Sequence, residues 1–189
     1  VDLDIYSFTG NTPCTSAGRL SHFFGFTGPS IVIDTACSSS LVAIYQACQG
    51  LRNGDCDLAI SGGVSFMLSP EASDNMQGSM LSKDGSCKTF DESADGFGRS
   101  EGSGLVLLKR LSDAVDSNDK ILAVIKGGKI NHDGASSGLT VPNAKAQTDL
   151  IKSAIQSYDG NLHDISYIET HGTGTRLGDP IEIAAINRL

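Results

Sequence analysis

The chain has 189 residues and a mass of 19.7 kDa, which is enough for one large domain. Apolar residues make up 39% of it without a long apolar run, so both a disordered chain and a membrane-spanning helix are excluded. The net charge of −8 and the lack of a basic cluster argue against nucleic-acid binding and against a basic helix on a membrane surface.

Short β-rich runs alternate with longer helical patterns, which predicts an α/β fold with a parallel or mixed sheet. Ile31–Ile33 is a β-branched run and is predicted to be a buried strand. The apolar positions between Leu41 and Leu51 predict a helix that is buried on every side and ends at Gly54. Leu58–Ile60 is predicted to be a second strand, stopped by Gly62–Gly63.

The middle of the chain is less regular. Residues 69–103 are rich in Ser, Asp and Gly, and a stretch of that length is predicted to be functional or an interface. Leu105–Leu108 is predicted to be a third strand. The polar segment 113–119 is the best candidate for a linker, and it divides the chain into residues 1–112 and 120–189.

After this linker the alternation of strands and helices continues. Leu122–Ile125 and Ile165–Ile168 are predicted strands. Ala144–Tyr158 is predicted to be an amphipathic helix. A last helix is predicted to start at Asp179 as its N-cap, with Pro180 at the first helical position.

The motifs of several enzyme classes are absent from the sequence. No P-loop, dinucleotide-binding loop, hydrolase elbow or zinc-protease motif occurs, and the five cysteines contain no CxxC pair. We therefore expect neither a bound metal nor a cofactor of the domain itself. Free thiols without a zinc or redox pattern predict a reducing, cytoplasmic location.

Cys37 follows a predicted strand and lies at the start of a predicted helix. The free N–H groups and the positive dipole end of a helix N-terminus favour a thiolate, and the same N–H groups can contribute to an oxyanion hole. The alternative is a small buried hydrophobic residue, and the context of Cys37 alone leaves both interpretations open. We apply the second interpretation to the other cysteines, Cys14, Cys48, Cys56 and Cys87.

His171 directly follows a predicted strand, where α/β proteins carry site residues. The next residues, 172–175, combine glycines without side-chain bulk and two threonine hydroxyls that can bind a ligand. Glu182 lies in the first turn of the predicted last helix, where the helix dipole favours an acid. The alternative for His171 is a loop histidine without function, which is our interpretation of His22, His132 and His163.

Two blocks of this sequence together resemble the β-ketoacyl synthase, or ketosynthase, domain of type I polyketide synthases. They are residues 28–41 (GPSIVIDTACSSSL) and 171–182 (HGTGTRLGDPIE). Further collinear matches extend the resemblance over essentially the whole chain; they are 17–21, 62–64, 80–82, 88–91, 102–104, 107–111 and 131–134.

The resemblance implies a thiolase-like five-layer αβαβα sandwich of two related halves. Residues 1–112 would be the later part of the N-terminal half and residues 120–189 the start of the C-terminal half. It also implies decarboxylative Claisen condensation in polyketide or fatty acid biosynthesis. Cys37 accepts an acyl chain, a malonyl-type extender on an acyl carrier protein loses carbon dioxide, and the resulting enolate attacks the acyl-cysteine.

The resemblance also assigns roles to single residues. His171 matches the first His of a Cys-His-His site, and Thr173 and Thr175 match positions that bind the phosphopantetheine arm of the carrier. Glu182 matches an acid that pairs with a Lys near the second His. That Lys and the second His are expected beyond Leu189, so we expect the 189-residue chain to be a partial domain that is poorly stable and inactive by itself.

The implied partners are an acyl carrier protein, an acyltransferase, other synthase domains and a second copy of the domain, paired through the predicted strand around Ser30–Asp34. The sequence departs from the family pattern mildly, at Ser100, Ser103 and His132. Two alternatives remain open: an inactive fragment, and a thioester hydrolase or acyltransferase with Cys37 and His171 as its dyad.

Overall fold

The computed structural model describes residues 4–67 and 80–189. Its helices and strands within these ranges are α1 (Ile5–Asn11), α2 (Cys14–Phe24), α3 (Ser39–Asn53), β1 (Leu58–Ser65), β2 (Gly102–Lys109), α4 (Leu111–Asp116), α5 (Ala144–Gln156) and α6 (Gly178–Ile186), with a 3-10 turn at Leu162–Asp164. Contacts divide the chain into two units, one of residues 1–64 with 103–124 and one of residues 65–102 with 125–189. No helix in the described ranges is both long and apolar enough to cross a membrane.

In the first unit, β1 and β2 form a two-stranded sheet, and α3 begins against β1. A Cβ at Gly63 would lie 2.9 Å from the Cβ of Ser40 at the start of α3. A Cβ at Gly62 would overlap the carbonyl oxygen of Gly104 in β2. The prediction that Gly62–Gly63 stops the strand is wrong, since β1 continues to Ser65 and needs glycines where its neighbours approach.

Three of the predicted strands are not strands in the structure. Leu105–Leu108 is confirmed within β2 and Leu58–Ile60 within β1, whereas Ile31–Ile33, Leu122–Ile125 and Ile165–Ile168 are wrong. A strand exists only where its backbone pairs with a neighbour. Apart from two isolated bridges, the described residues form a ladder only between β1 and β2. Apolar, β-branched composition therefore predicted strands whose backbones have no pairing partner among the described residues.

Helix α3 ends as predicted but is less buried than predicted. Gly54 adopts a left-handed φ of 80° and donates its N–H to the carbonyl oxygens of Gly50 and Leu51. Leu51 is 4% exposed, but Leu41 is 71% exposed, so the prediction of a helix buried on every side is wrong. An apolar composition identifies surface that favours burial, but most of the apolar side chains between these two leucines are only half-buried.

Arg110 joins the end of α3 to the start of α4 in the first unit. Its Nη1 donates to the carbonyl oxygens of Leu51 and Cys56, at 2.9 Å each. Its Nε donates to Asp113 at 2.7 Å, and its Nη2 pairs with Asp57. The hydrogen bond to Asp57 is the main reason that the pKa of Arg110 is raised. One planar guanidinium thus holds three chain segments together.

In the intact domain that carries this chain, we expect Arg110→Lys to lower the melting temperature by a few degrees. A single ammonium cannot reproduce the fork of donors that reaches two carbonyls and two carboxylates. The matched control is Arg19→Lys, because the Arg19 guanidinium donates to the carbonyl oxygen of Thr9 at 3.3 Å and needs no fork. Differential scanning calorimetry checks this expectation, and equal shifts in the two variants would contradict it.

In the second unit, α5 packs on α6. The helix predicted over Ala144–Tyr158 is confirmed, and it ends at Gln156. Thr148, which is 5% exposed, donates its hydroxyl at 3.0 Å to the carbonyl oxygen of Ala185, which is fully buried. This contact fixes α6 against α5. The loop that precedes α6 therefore ends at an anchored helix.

The irregular region predicted at residues 69–103 is only partly described, since residues 68–79 lie outside the described ranges. Within the rest, Leu81 and Phe97 form an isolated bridge. Three helices lie where the sequence patterns predicted none: α1, α2 and α4, the last of which overlaps the predicted linker 113–119.

Candidate active site

Cys37 lies two residues before the first residue of α3, as predicted, and is exposed. Short side chains close the turn around it. The N–H of Ala36 donates to Asp34 Oδ1 at 3.1 Å, and the N–H of Thr35 donates to the Ser39 hydroxyl at 2.9 Å. Ala36 has a φ of 56°, in the left-handed region that residues with a Cβ rarely adopt. Such strain is typical of functional turns, and here it presents Cys37 at the start of a helix.

The backbone around His171 is held by Glu182 from α6. The N–H of His171 donates to Glu182 Oε1 at 2.6 Å, and the N–H of Gly172 donates to Oε2 at 3.0 Å. The helix dipole explains an acid at position 182 from the sequence, and the family resemblance implies a lysine as its partner. The structure adds that one carboxylate accepts two consecutive backbone N–H groups, which orients the residue that carries the imidazole.

Thr173 and Thr175 lie together on the loop that starts at His171. Their hydroxyl oxygens are 3.0 Å apart, and Thr175 Oγ1 also accepts the N–H of Gly178 at 3.1 Å. Both side chains are half-buried. The structure therefore brings four of the five predicted site residues, all except Cys37, onto one loop and the helix that follows it.

Asp179 has a role that the sequence analysis missed. It was expected to be an N-cap, but α6 begins one residue earlier, at Gly178, so that expectation is wrong. Its carboxylate, 4% exposed, accepts the N–H of Gly174 at 3.1 Å and the N–H of Phe90 at 2.8 Å. Phe90 has a φ of 61°, which is rare for a bulky residue. The signal available in the sequence was an acid close to glycines. It could not identify the partners of this acid, because they lie on two separate segments.

We expect Asp179→Asn to lower the free energy of unfolding by about 1–3 kcal/mol, because the amide NH₂ would face a backbone N–H that has lost its acceptor. The control is Asp164→Asn, an exposed position in the 3-10 turn, with an expected effect below about 0.5 kcal/mol. Urea unfolding of the intact domain that carries this chain measures both variants. An Asp179→Asn variant as stable as the control would show that the two backbone bonds do not matter.

Metal binding has no geometric support in the described part of the chain, where no three His, Cys, Asp or Glu side chains are grouped as ligands. Cys37 belongs to the first unit, and His171, Thr173, Thr175 and Glu182 belong to the second. The chemical inventory is therefore a thiol at a helix start and a histidine on a fixed, glycine-rich loop with two hydroxyls.

Known proteins with similar sequences indicate the family to which this chain belongs. The family model "Beta-ketoacyl synthase, N-terminal domain" matches residues 1–114, and "Beta-ketoacyl synthase, C-terminal domain" matches residues 122–189. One polypeptide of the phenolphthiocerol/phthiocerol polyketide synthase of Mycobacterium tuberculosis is 53% identical over 190 residues, which cover 100% of this chain and 9% of that protein. A second polypeptide of the same synthase and species is 50% identical, with 98% of this chain and 12% of that protein covered.

Solved structures give the fold. The ketosynthase from module 6 of the bacillaene synthase of Bacillus subtilis is 45% identical with a TM-score of 0.92, over 100% of this chain and 34% of that one. An oxazolomycin ketosynthase domain from Streptomyces albus is 46% identical with a TM-score of 0.91, over 94% of this chain and 31% of that one. The chain thus spans a minor part of each relative, and its fold class is thiolase-like α/β. It belongs to the β-ketoacyl synthase family and covers part of a polyketide synthase ketosynthase domain.

Proposed function

We propose that this chain supplies the nucleophile and the first histidine of a ketosynthase that forms carbon–carbon bonds by decarboxylative Claisen condensation. The observation that carries the proposal is the presentation of Cys37 by a strained turn at the start of α3, in a chain that belongs to this family. The ketosynthase is a transferase. It moves an acyl group from a thioester sulfur to the enolate carbon of the extender, and a new carbon–carbon bond forms.

Cys37 carries the acyl chain in this proposal. Its sulfur attacks the carbonyl carbon of an acyl thioester, a new carbon–sulfur bond forms, and the carrier thiolate leaves. Cysteine suits the step because its thiolate is both a good nucleophile and a good leaving group. The first N–H groups of a helix have no partner within the helix, and we assign those at the start of α3 as donors to the oxyanion that develops on the carbonyl oxygen.

His171 acts in the second step. The bond between the malonyl α-carbon and the carboxylate breaks, carbon dioxide leaves, and the electron pair forms an enolate. A hydrogen-bond donor at the enolate oxygen lowers this barrier, and we assign that donor to His171. The enolate carbon then attacks the acyl-cysteine carbonyl, and the Cys37 thiolate leaves.

The remaining site residues bind and position. We assign Thr173 and Thr175 to the phosphopantetheine arm of the acyl carrier protein, since two half-buried hydroxyls 3.0 Å apart offer donors and acceptors in one place. Glu182 positions the His171 backbone. A carboxylate has about four lone-pair sites, so two backbone bonds leave acceptors for the lysine that the family resemblance implies.

The organisation follows the family pattern in this proposal. Residues 1–112 and 120–189 belong to its two halves and 113–119 join them. Partners are the acyl carrier protein, an acyltransferase and other synthase domains, in a cytoplasmic assembly without a cofactor of the ketosynthase itself. Because the chain covers 34% of the bacillaene ketosynthase, we propose that activity requires the rest of the domain.

A homodimer is also part of the proposal. Ile31 and Val32 are 66% and 40% exposed, and a β-branched segment without a ladder partner among the described residues suits pairing with a second copy. Sedimentation of the intact domain at micromolar concentration is expected to show a dimer. A monomer under those conditions would contradict this part.

Release of carbon dioxide distinguishes this function from a Cys-His thioester hydrolase or acyltransferase. The intact ketosynthase that carries this sequence is supplied with an acyl donor and radiolabelled malonyl carrier protein. We expect carbon dioxide and a β-ketoacyl thioester in equal amounts. Release of the free acid without carbon dioxide would overturn the proposal in favour of the hydrolase.

A further inference from the structure

Lys88 is the centre of a cluster in the second unit, the Lys88 cluster, formed by Ser82, Asp84, Lys88 and Asp95. Lys88 Nζ lies 2.7 Å from Asp95 Oδ1, 3.0 Å and 3.1 Å from the two carboxylate oxygens of Asp84, and 3.2 Å from Ser82 Oγ. Asp95 Oδ1 is shielded from solvent, and the ammonium of Lys88 is its ionic partner.

Both members of the Lys88–Asp95 pair are charged near neutral pH. The contact with Lys88 is the main reason that the pKa of Asp95 is lowered, and the contact with Asp95 is the main reason that the pKa of Lys88 is raised. Removing the Lys88 charge leaves the shielded Asp95 carboxylate without its ionic partner. Removing the Asp95 charge leaves Lys88 paired with Asp84 alone, so in either case the ionic contact between residues 88 and 95 is lost. The pair therefore holds two stretches of chain, seven residues apart, side by side.

Both stretches form hydrogen bonds to the loop that follows His171. The Thr89 hydroxyl donates to the carbonyl oxygen of Gly172, and the N–H of Gly96 donates to the carbonyl oxygen of Gly174 at 3.0 Å. The packing is tight, because a Cβ at Gly174 would lie 2.8 Å from the backbone nitrogen of Lys88 and 3.1 Å from the carbonyl oxygen of Gly96. Each member of the ion pair thus neighbours a residue that bonds the loop.

We propose that the Lys88–Asp95 ion pair is a positioning device for His171. By closing residues 88–89 and 95–96 on Gly172 and Gly174, it fixes the loop whose first residue is His171. Lys88 and Asp95 act through the loop backbone, and a displacement of about 1 Å at a reacting group is enough to lower a rate 10²-fold. The inference rests on the proposed function for the role of His171 and extends it to residues that the sequence analysis left unassigned.

The test uses Lys88→Met, which keeps the length of the side chain and removes its charge, together with Asp95→Asn and Lys88→Arg in the intact ketosynthase. We expect Lys88→Met and Asp95→Asn each to lower kcat for carbon dioxide release by about 10- to 100-fold, with KM for the malonyl carrier within about two-fold. The rate of Cys37 acylation, measured from the mass of the intact protein, stays near the wild-type value. The double variant is no worse than either single variant, and Lys88→Arg recovers most of the rate.

The matched control is Lys145→Met, which removes the exposed pair of Lys145 with Asp149 in the same unit. It leaves the kinetics unchanged. Wild-type kcat in Lys88→Met or Asp95→Asn overturns the inference, and so does an equal loss of acylation and decarboxylation, which would show a general loss of structure. If Lys88→Met does not fold, Asp95→Asn decides by the same criteria, and Lys88→Arg, which keeps the charge, is expected to retain most of the wild-type kcat.

Hydrogen exchange separates this inference from the proposed function. In Lys88→Met the amide hydrogens of Gly96 and Gly174 exchange about ten-fold faster or more, while Lys145→Met leaves them unchanged. If the wild-type enzyme releases no carbon dioxide, the proposed function fails, and the exchange rates still judge whether the pair fixes the loop. Unchanged exchange in Lys88→Met and Asp95→Asn overturns the positioning role.

Discussion

Cys37→Ala abolishes formation of the acyl-enzyme in the intact ketosynthase, a loss of at least about 10³-fold, because no other group in the turn can form the thioester. Carbon dioxide release from the malonyl carrier persists in part, since that step needs donors to an oxygen and no thiol. Intact mass after treatment with an acyl donor measures the first effect, and radiolabelled carbon dioxide measures the second.

Cys14→Ala is the matched control for Cys37→Ala. Cys14 is also exposed and is the first residue of α2, so it shares the helix start but not the strained turn. The control variant acylates at the wild-type rate. A Cys37→Ala variant that still gains the mass of one acyl group would place the nucleophile elsewhere.

His171→Ala has the opposite pattern. Decarboxylation and condensation fall by about 10²–10³-fold, which is the usual loss when one donor to a developing oxyanion is removed. Acylation of Cys37 survives, because the backbone N–H groups at the start of α3 are unaffected by the change. The two readouts are again the mass of the intact protein and the release of carbon dioxide.

The control for His171→Ala is His163→Ala, an exposed histidine of the 3-10 turn, which leaves both rates unchanged. If His171→Ala instead blocks acylation and spares decarboxylation, His171 is the base for the Cys37 thiol. The hydrolase-like dyad then becomes the better account of the site.

The sequence by itself determined the features that depend on neighbouring residues. The start of α3 beside Cys37, the left-handed end of that helix at Gly54 and the helix over Ala144–Gln156 all follow from local capping and periodicity. The family also followed from sequence, because the blocks around Cys37 and His171 are collinear with it. Each helix feature depends on one short window of the chain, and the family depends on two such windows that occur in the same order as in the family.

Only the tertiary structure decided which segments pair and which polar groups meet. Ile31–Ile33 has the composition of a strand, but a ladder needs a second backbone, and composition cannot supply one. Asp179 was expected to cap its own helix, yet its carboxylate bonds the N–H of Phe90, 89 positions away. Glu182 at the His171 backbone and Lys88 beside Asp95 are contacts of the same kind. Their partners are chosen by the path of the folded chain, because a buried polar group bonds whichever group the fold brings within reach.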